Sequence, residues 1–536
     1  PPAFSIFRKD IFMSQTYKEE LPLKKQTRLR LAALGAALCL TLTGCAGGPE
    51  PAVTESSLPA ESAAPAETRP FALACYPDAG FHPITGTNRT NLTLAGLTYE
   101  GLFALDQRFA VEQVLCDRYT VSADGLTWTF TLRPGVTFSD GSPLTGAEVA
   151  ASLEKARTSA LYAARFAEIG AITAGERTVT VALTRANGDL PALLDIPIVK
   201  ETGGIPLGTG PYVLTGSGDE LRLTASASWW RGEPLPLAEI SLRAIQEADD
   251  LIHAFDTKEI SLVTTDLTAT NSLGFSGSYD TVDYPTSVMV YVGFNTVSGP
   301  CRDAGVRRAL LRAFDRDSVS TALFSRHAQP AALPVSPSSP LYKENLAEGL
   351  SYSSQAVADA LTEAGWTRTE GGWVSGRQTL SLELVVSAEN QDRAAAAQHL
   401  VNGLNDMGIR ATLTKLDWES YLSALQKGDF DLYLGEVRLT GDFDLTPLIA
   451  AGGSLNYGGY SDARAAQLLQ AYRGSTGQGR DLNAQWLYQR LAEEPPFAVL
   501  CFKNWSVLTQ WNTLSNLMST QQNLFFRFSQ WKIGTE

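Results

Sequence analysis

The sequence predicts an α/β fold, because strand-type and helix-type segments alternate along most of the chain. Three segments carry this expectation. Residues 124–157 read as strand, turn and helix in succession. Residues 288–294 (VMVYVGF) form the unbroken apolar run expected of a strand buried on both faces. Residues 380–415 read as strand, helix and strand, a βαβ-like unit.

The first segment is the most detailed. Leu126, Trp128, Phe130 and Leu132 alternate with Thr127, Thr129, Thr131 and Arg133, which places one face of a strand in a core and the other outside it. Pro134-Gly135 breaks the strand, and residues 136–138 resume it. Asp140-Gly141 is a tight turn, since glycine reaches positive φ at no steric cost. Thr145 and Glu148 fit a capping box that opens a helix with Val149, Leu153 and Ala156 on its buried face.

The remaining elements follow in order. Residues 71–75 read as a first strand and 92–103 as a helix running into Tyr99-Glu100-Gly101. Residues 106–195 are mostly β, with helices around 147–168. Residues 211–214, 221–225, 240–245 and 260–263 are short strands. Residues 304–314 read as a helix with an exposed arginine face at Arg307, Arg308 and Arg312. The βαβ-like unit places strands at 380–386 and 410–415 around a helix at 393–407.

With 536 residues the chain is too long for one core and divides into two or three units. Its net charge is −14 and the first 44 residues are net +4 (seven Lys/Arg against three Asp/Glu), which leaves −18 on the rest. An acidic body excludes nucleic acid, whose binding rests on clustered Lys and Arg, and it repels an anionic membrane surface. The four histidines, His82, His253, His327 and His399, are scattered without metal-ligand spacing, so no metal is assigned. No phosphate loop or GxSxG nucleophile element is present; no cofactor is expected and the chain is not read as an enzyme. Cys75, Cys116, Cys301 and Cys501 lie far apart with no CxxC pair, as buried thiols or as disulfides that the sequence cannot pair.

The N-terminal 44 residues read as a signal segment. Lys24, Lys25, Arg28 and Arg30 precede an apolar run at 31–43 that is too short to span a bilayer. Residues before Met13 are read as lying upstream of the natural start. Residues 45–68, rich in Ala, Pro, Glu, Ser and Gly, read as a flexible tether. Leu42-Thr43-Gly44-Cys45 resembles the bacterial lipobox, which implies lipidation of Cys45 and an extracytoplasmic, membrane-anchored protein.

Several motifs in one order carry a wider resemblance. They are Leu97-Thr98-Tyr99-Glu100-Gly101-Leu102, the segment Phe130 to Val149, Gly208-Thr209-Gly210-Pro211-Tyr212, and Trp229-Trp230-Arg231-Gly232. Farther on come Phe294-Asn295-Thr296, Val306 to Leu310, Ala313 to Arg316, and residues 361–366, 404–409 and 428–432. The chain resembles the peptide/nickel-type extracellular solute-binding proteins that feed ABC importers, over roughly residues 70–505. That resemblance implies a two-lobed, periplasmic-binding-protein-like (type II) fold with a hinge. Lobe I would span 69–284 with an inserted subdomain at 106–195, lobe II 285–503, and residues 504–536 would return to lobe I.

It also implies a ligand site. In oligopeptide- and dipeptide-binding relatives an Asp pairs with the ligand's α-ammonium, and Asp442 matches its motif. Here the usual Asp-Pro has become Asp444-Leu445-Thr446-Pro447, and Glu436-Val437-Arg438 replaces the preceding Trp. Asp442 and Asp444 read alternatively as loop or capping carboxylates. Arg438 suits a ligand carboxylate or a pairing with Glu436 or Asp442. Tyr99, Asn295 and Tyr457 lie beside matched motifs and either line the cleft or pack core and hinge. The expected function is a monomeric importer receptor that captures a small peptide or related amine-bearing solute and delivers it to a membrane permease and its ATPase. The alternatives are another solute, such as a nickel chelate or an oligosaccharide, and a sensory lipoprotein without transport.

Overall fold

The computed structural model describes residues 70–270, 272–510 and 513–534. The signal segment, Cys45 and the tether at 45–68 lie outside the described residues. No helix among the described residues is long and apolar enough to cross a membrane.

The buried apolar side chains separate into distinct cores. Lobe I is built on a four-stranded sheet in which Ala72–Cys75 runs parallel to Glu239–Ala244, followed by Arg222–Ala225 and Tyr212–Thr215. Its core takes Phe71, Leu97, Tyr212 and Ile240 together with Val507, Phe525 and Trp531 from the C-terminal segment. A β-subdomain has its own core around Trp128, Phe130, Val149 and Val181. Lobe II holds the largest core, which runs from Met289 to Phe502 and also takes in Phe109.

The β-subdomain forms as its sequence dictates. Thr127–Leu132 sits between Cys116–Val121 and Thr178–Leu183 in an antiparallel sheet that ends with Ile169–Ala174. Trp128, Phe130 and Leu132 are buried, while the intervening threonines face outward. Gly135 and Gly141 take φ of 77° and 80°, which a side chain would oppose. The helix Gly146–Arg157 opens with the expected capping box. Ala147 donates to Thr145 Oγ1 (3.2 Å), and Thr145 N donates to Glu148 (3.1 Å). Val149, Leu153 and Ala156 are fully buried beneath it.

Two long antiparallel strands, Tyr279–Phe294 and Phe497–Gln510, join the lobes. At about 3.3 Å per residue each extends roughly 45–50 Å, longer than either lobe's own sheet needs. Their lower halves pack in lobe I through Tyr284 and Val507, and their upper halves in lobe II through Met289 and Phe502. The pairing register shifts between Pro285 and Met289, at this boundary. Proline cannot donate to a ladder, and a shift there loosens the sheet where the lobes meet. Leu432–Arg438 continues the sheet, then Ser381–Ser387 and Arg410–Leu416 pair in parallel with the helix Gln391–Asp406 between them. This is the βαβ unit expected from the sequence.

Three readings differ. The first helix spans Arg89–Thr98 and stops before Tyr99. The glycine turn at 208–210 packs on its end, with Gly210 N donating to the Thr98 carbonyl at 3.0 Å, and it leaves no room for another helical turn. The helix after Asp303 is shorter than expected, Ala304–Leu310. Arg307 is buried rather than exposed, donating to Glu494 at 2.9 Å and to the Pro495 carbonyl at 2.7 Å. All four described cysteines are buried free thiols, and burial pushes Cys75 up to about 11 and Cys501 to about 12.

Removing the helix cap leaves an N–H unsatisfied, so Thr145→Ala should lower stability by about 1 kcal/mol. Urea unfolding of the two proteins measures the difference, and a midpoint equal to that of the parent would mean the cap contributes nothing.

Candidate ligand-binding cleft

A cavity of about 1960 Å³ opens between the lobes. Three motifs that are distant in sequence converge at its lobe I wall. Glu100 accepts hydrogen bonds from Trp230 Nε1 (2.6 Å) and Thr209 (2.9 Å), and Arg231 lies at 3.4 Å. Burial nevertheless raises the Glu100 pKa, because these donors offset only part of the lost hydration. The Tyr-Glu-Gly, Gly-Thr-Gly and Trp-Trp-Arg segments are therefore one polar joint. Tyr99 lines the cavity beside it, with its hydroxyl donating to the Pro206 carbonyl at 2.8 Å.

The opposite wall comes from Leu432–Arg438. Glu436 and Arg438 are two residues apart on this strand, so both point to the same face, and both line the cavity. Arg438 is exposed to the cleft, and its guanidinium sits 5.4 Å from the centre of the Trp505 ring. Arg89, at the start of the first helix, lies 4.5 Å from the same ring. Neither arginine has a carboxylate within ion-pair distance among the described residues. Arg165 enters from the β-subdomain and pairs with Asp195. Partial burial and then repulsion from Arg165 and Arg89 bring the Arg438 pKa down to about 10, which still leaves it charged at neutral pH.

Beneath Glu436 lies a second charged group. Lys503, on the crossing strand, is buried, and its ammonium donates to Asp266 at 2.7 Å and to Glu436 at 3.4 Å. Arg393 approaches Glu436 at 3.9 Å. Burial alone would push the Lys503 pKa down, but Glu436 and Asp266 outweigh it and raise it. At the cavity wall, Trp505 Nε1 and Gln521 Nε2 are among the donors buried without a hydrogen-bond partner among the described residues.

Asp442 is placed elsewhere. It is buried outside the cavity lining and receives hydrogen bonds from Asn187 Nδ2 (3.0 Å) and Thr440 (2.5 Å). Arg438 pairs with neither Glu436 nor Asp442. Asn295 is also away from the cleft: its amide donates to the Gly428 and Phe430 carbonyls at 3.0 Å and shapes a lobe II loop. Tyr457 packs edge-on against Tyr433 at 6.1 Å, within lobe II. Thus Tyr99, Glu436 and Arg438 reach the cavity, while Asp442, Asn295 and Tyr457 do not line it. Sequence reading missed Arg89, Arg165, Asp266, Lys503 and Trp505. Arg89 left no trace, because the expected helix began at residue 92 and only the structure puts Arg89 on its first residue.

Residues 110–454 match the family described as bacterial extracellular solute-binding proteins, family 5. The chain belongs to that family. The glutathione-binding protein GsiB of Salmonella typhi is 26% identical over 396 residues, covering 69% of this chain and 75% of that protein. Among solved structures, the periplasmic murein tripeptide-binding protein MppA in its open form superposes with a TM-score of 0.71 at 18% identity, over 87% of this chain and 98% of that one. A nickel ABC transporter protein from Bacillus halodurans gives 0.70 at 20% identity, over 85% and 97%. The type II binding-protein fold expected from the motifs is the fold observed, and the protein is an extracytoplasmic solute-binding protein.

Lys503→Met would leave Asp266 and Glu436 without their shared cation. We expect a loss of about 3–5 kcal/mol in stability, read by chemical denaturation. A loss below 1 kcal/mol would show that Arg393 and water suffice.

Proposed function

We propose that this chain is the receptor of an ABC importer for a small peptide or related solute bearing a free carboxylate, and that it performs no chemistry on it. The observation that carries the reading is the pair Arg89 and Arg438, both without a carboxylate partner and both flanking Trp505 in the cleft. Guanidinium groups held beside an aromatic ring without a carboxylate partner leave N–H donors available, and a carboxylate accepts such donors bidentately. The N-terminus of the helix Arg89–Thr98 adds its positive dipole end on the same side. The unpartnered donors of Trp505 and Gln521 favour a ligand rich in acceptors. On the same strand face, Glu436 is a cleft carboxylate that a ligand ammonium could meet.

Such a solute would be enclosed as the lobes turn about the register shift in the crossing strands, and then released to a permease. Lipidation of Cys45 would keep the receptor at the membrane. The reading draws support from the family, whose members are extracellular solute-binding proteins, and from the name of a relative that binds glutathione, a peptide with free carboxylates.

Calorimetric titration with tri-alanine and with its C-terminal amide tests the carboxylate. Arg438→Gln should weaken the free acid by roughly tenfold or more, about 1.4 kcal/mol, and leave the amide little changed. Equal loss for both, or for neither, would remove Arg438 from the carboxylate seat.

A further inference from the structure

Arg89 and Arg438 belong to different lobes. Arg438 ends the strand Leu432–Arg438 of lobe II, whereas Arg89 opens the helix Arg89–Thr98 of lobe I. Their guanidinium carbons lie 5.4 Å (Arg438) and 4.5 Å (Arg89) from the centre of the Trp505 ring, so they cannot be farther apart than those two distances together.

Each arginine is joined by donors of its own lobe or of the segment beside it. Ser287 N donates to Gln521 Oε1 at 2.8 Å, which fixes the amide so that Nε2 is its open end. Gln521 is buried at the cavity wall, and that Nε2 has no partner among the described residues. Ser287 Oγ also donates to the carbonyl of Leu439, the residue after Arg438, at 2.6 Å, which holds the amide close to that arginine. Beside Arg89 the helix presents its positive end. Asn88 caps it by accepting from Asn91 N at 3.0 Å, and both Asn88 and Arg89 line the cavity.

The other cations of the cleft are engaged: Arg165 with Asp195, Arg231 with Glu100, and Arg527 with Glu112. Asp78, Glu247 and Asp249 also line the cavity, but none has an ion pair with Arg89 or Arg438 among the described residues. Two guanidinium groups beside one ring repel each other, and enclosing them removes water from both. A single carboxylate matches one and leaves the other an unpaired charge in the closed cleft, which opposes closure.

We infer that the solute is an acidic peptide that brings two carboxylates, its C-terminal group and an Asp or Glu side chain, and that each lobe holds one of them. Arg438 with Gln521 takes the C-terminal carboxylate on lobe II, and Arg89 with the helix N-terminus takes the second on lobe I. Both are matched only when the lobes have closed around the solute, so the second carboxylate favours the closed state over the open one. This rests on the carboxylate-binding reading above and adds the class of peptide.

Calorimetric titration of the full chain with two pairs of peptides tests it: Ala-Ala-Glu against Ala-Ala-Gln, and Ala-Glu-Ala against Ala-Gln-Ala. In at least one pair the Glu peptide should bind roughly tenfold tighter than its uncharged twin. Arg89→Gln should bring the twins to within about twofold of each other and leave the Gln peptide little changed, while Arg89→Lys should keep the preference. Equal affinities within both pairs of the parent protein, or a preference that survives Arg89→Gln, overturns the inference. So does a loss on Arg89→Gln that is as large for the Gln peptide as for its Glu twin, because one carboxylate then bridges both arginines. Tri-alanine carries a single carboxylate, so its titrations judge the carboxylate reading alone. Twins that bind equally would strike the second carboxylate and leave that reading standing.

Discussion

The antiparallel pairing of Tyr279–Phe294 with Phe497–Gln510 is the constraint on which the rest of the molecule depends. Each strand is buried along most of its length and contributes to two cores. The two strands therefore set the relation between the lobes, and their edges receive Leu262–Thr265 on one side and Leu432–Arg438 on the other. The cleft lies over them. Trp505 rises from one strand as the plate on which Arg89 and Arg438 rest, and Lys503, two residues earlier, anchors Asp266 and Glu436.

The electrostatics of the cleft follow from where charges are paired. Glu100, Asp195, Asp266 and Glu436 line the cavity and each has a cationic partner within the protein, whereas Asp78, Glu247 and Asp249 line it without an ion pair among the described residues. Arg89 and Arg438 have none among the described residues. An acidic chain, net −14, thus presents two unpaired cations beside Trp505 in its cleft. Net charge describes the molecule at a distance, whereas a bound solute meets only the unpaired groups beside it.

Much of the fold was legible in the sequence because it rests on local rules. The alternation at 126–132, the Thr145–Glu148 capping box and the strand–helix–strand order at 380–415 each depend on near neighbours. Misreadings arose where distant chain intervened. The first helix ends early because residues 208–210 pack on Thr98, and Arg307 is buried because residues 494–495 supply its acceptors. The motifs around Glu100 were each visible, but their convergence on one carboxylate was not.

The candidate site was only partly legible. Arg438 and Glu436 were singled out by residue type and their alternation on one strand keeps them together. Asp442 was singled out by its motif, yet its neighbour Asn187 lies 255 residues away and takes it out of the cavity lining. Sequence was enough for most of the secondary elements, the family resemblance and the acidic balance, since these are properties of short segments and sums. The tertiary structure alone decided which charges remain unpaired. Such contacts join residues far apart in the chain, as Arg89 is brought to Arg438 and Trp505 here, and no local pattern encodes that proximity.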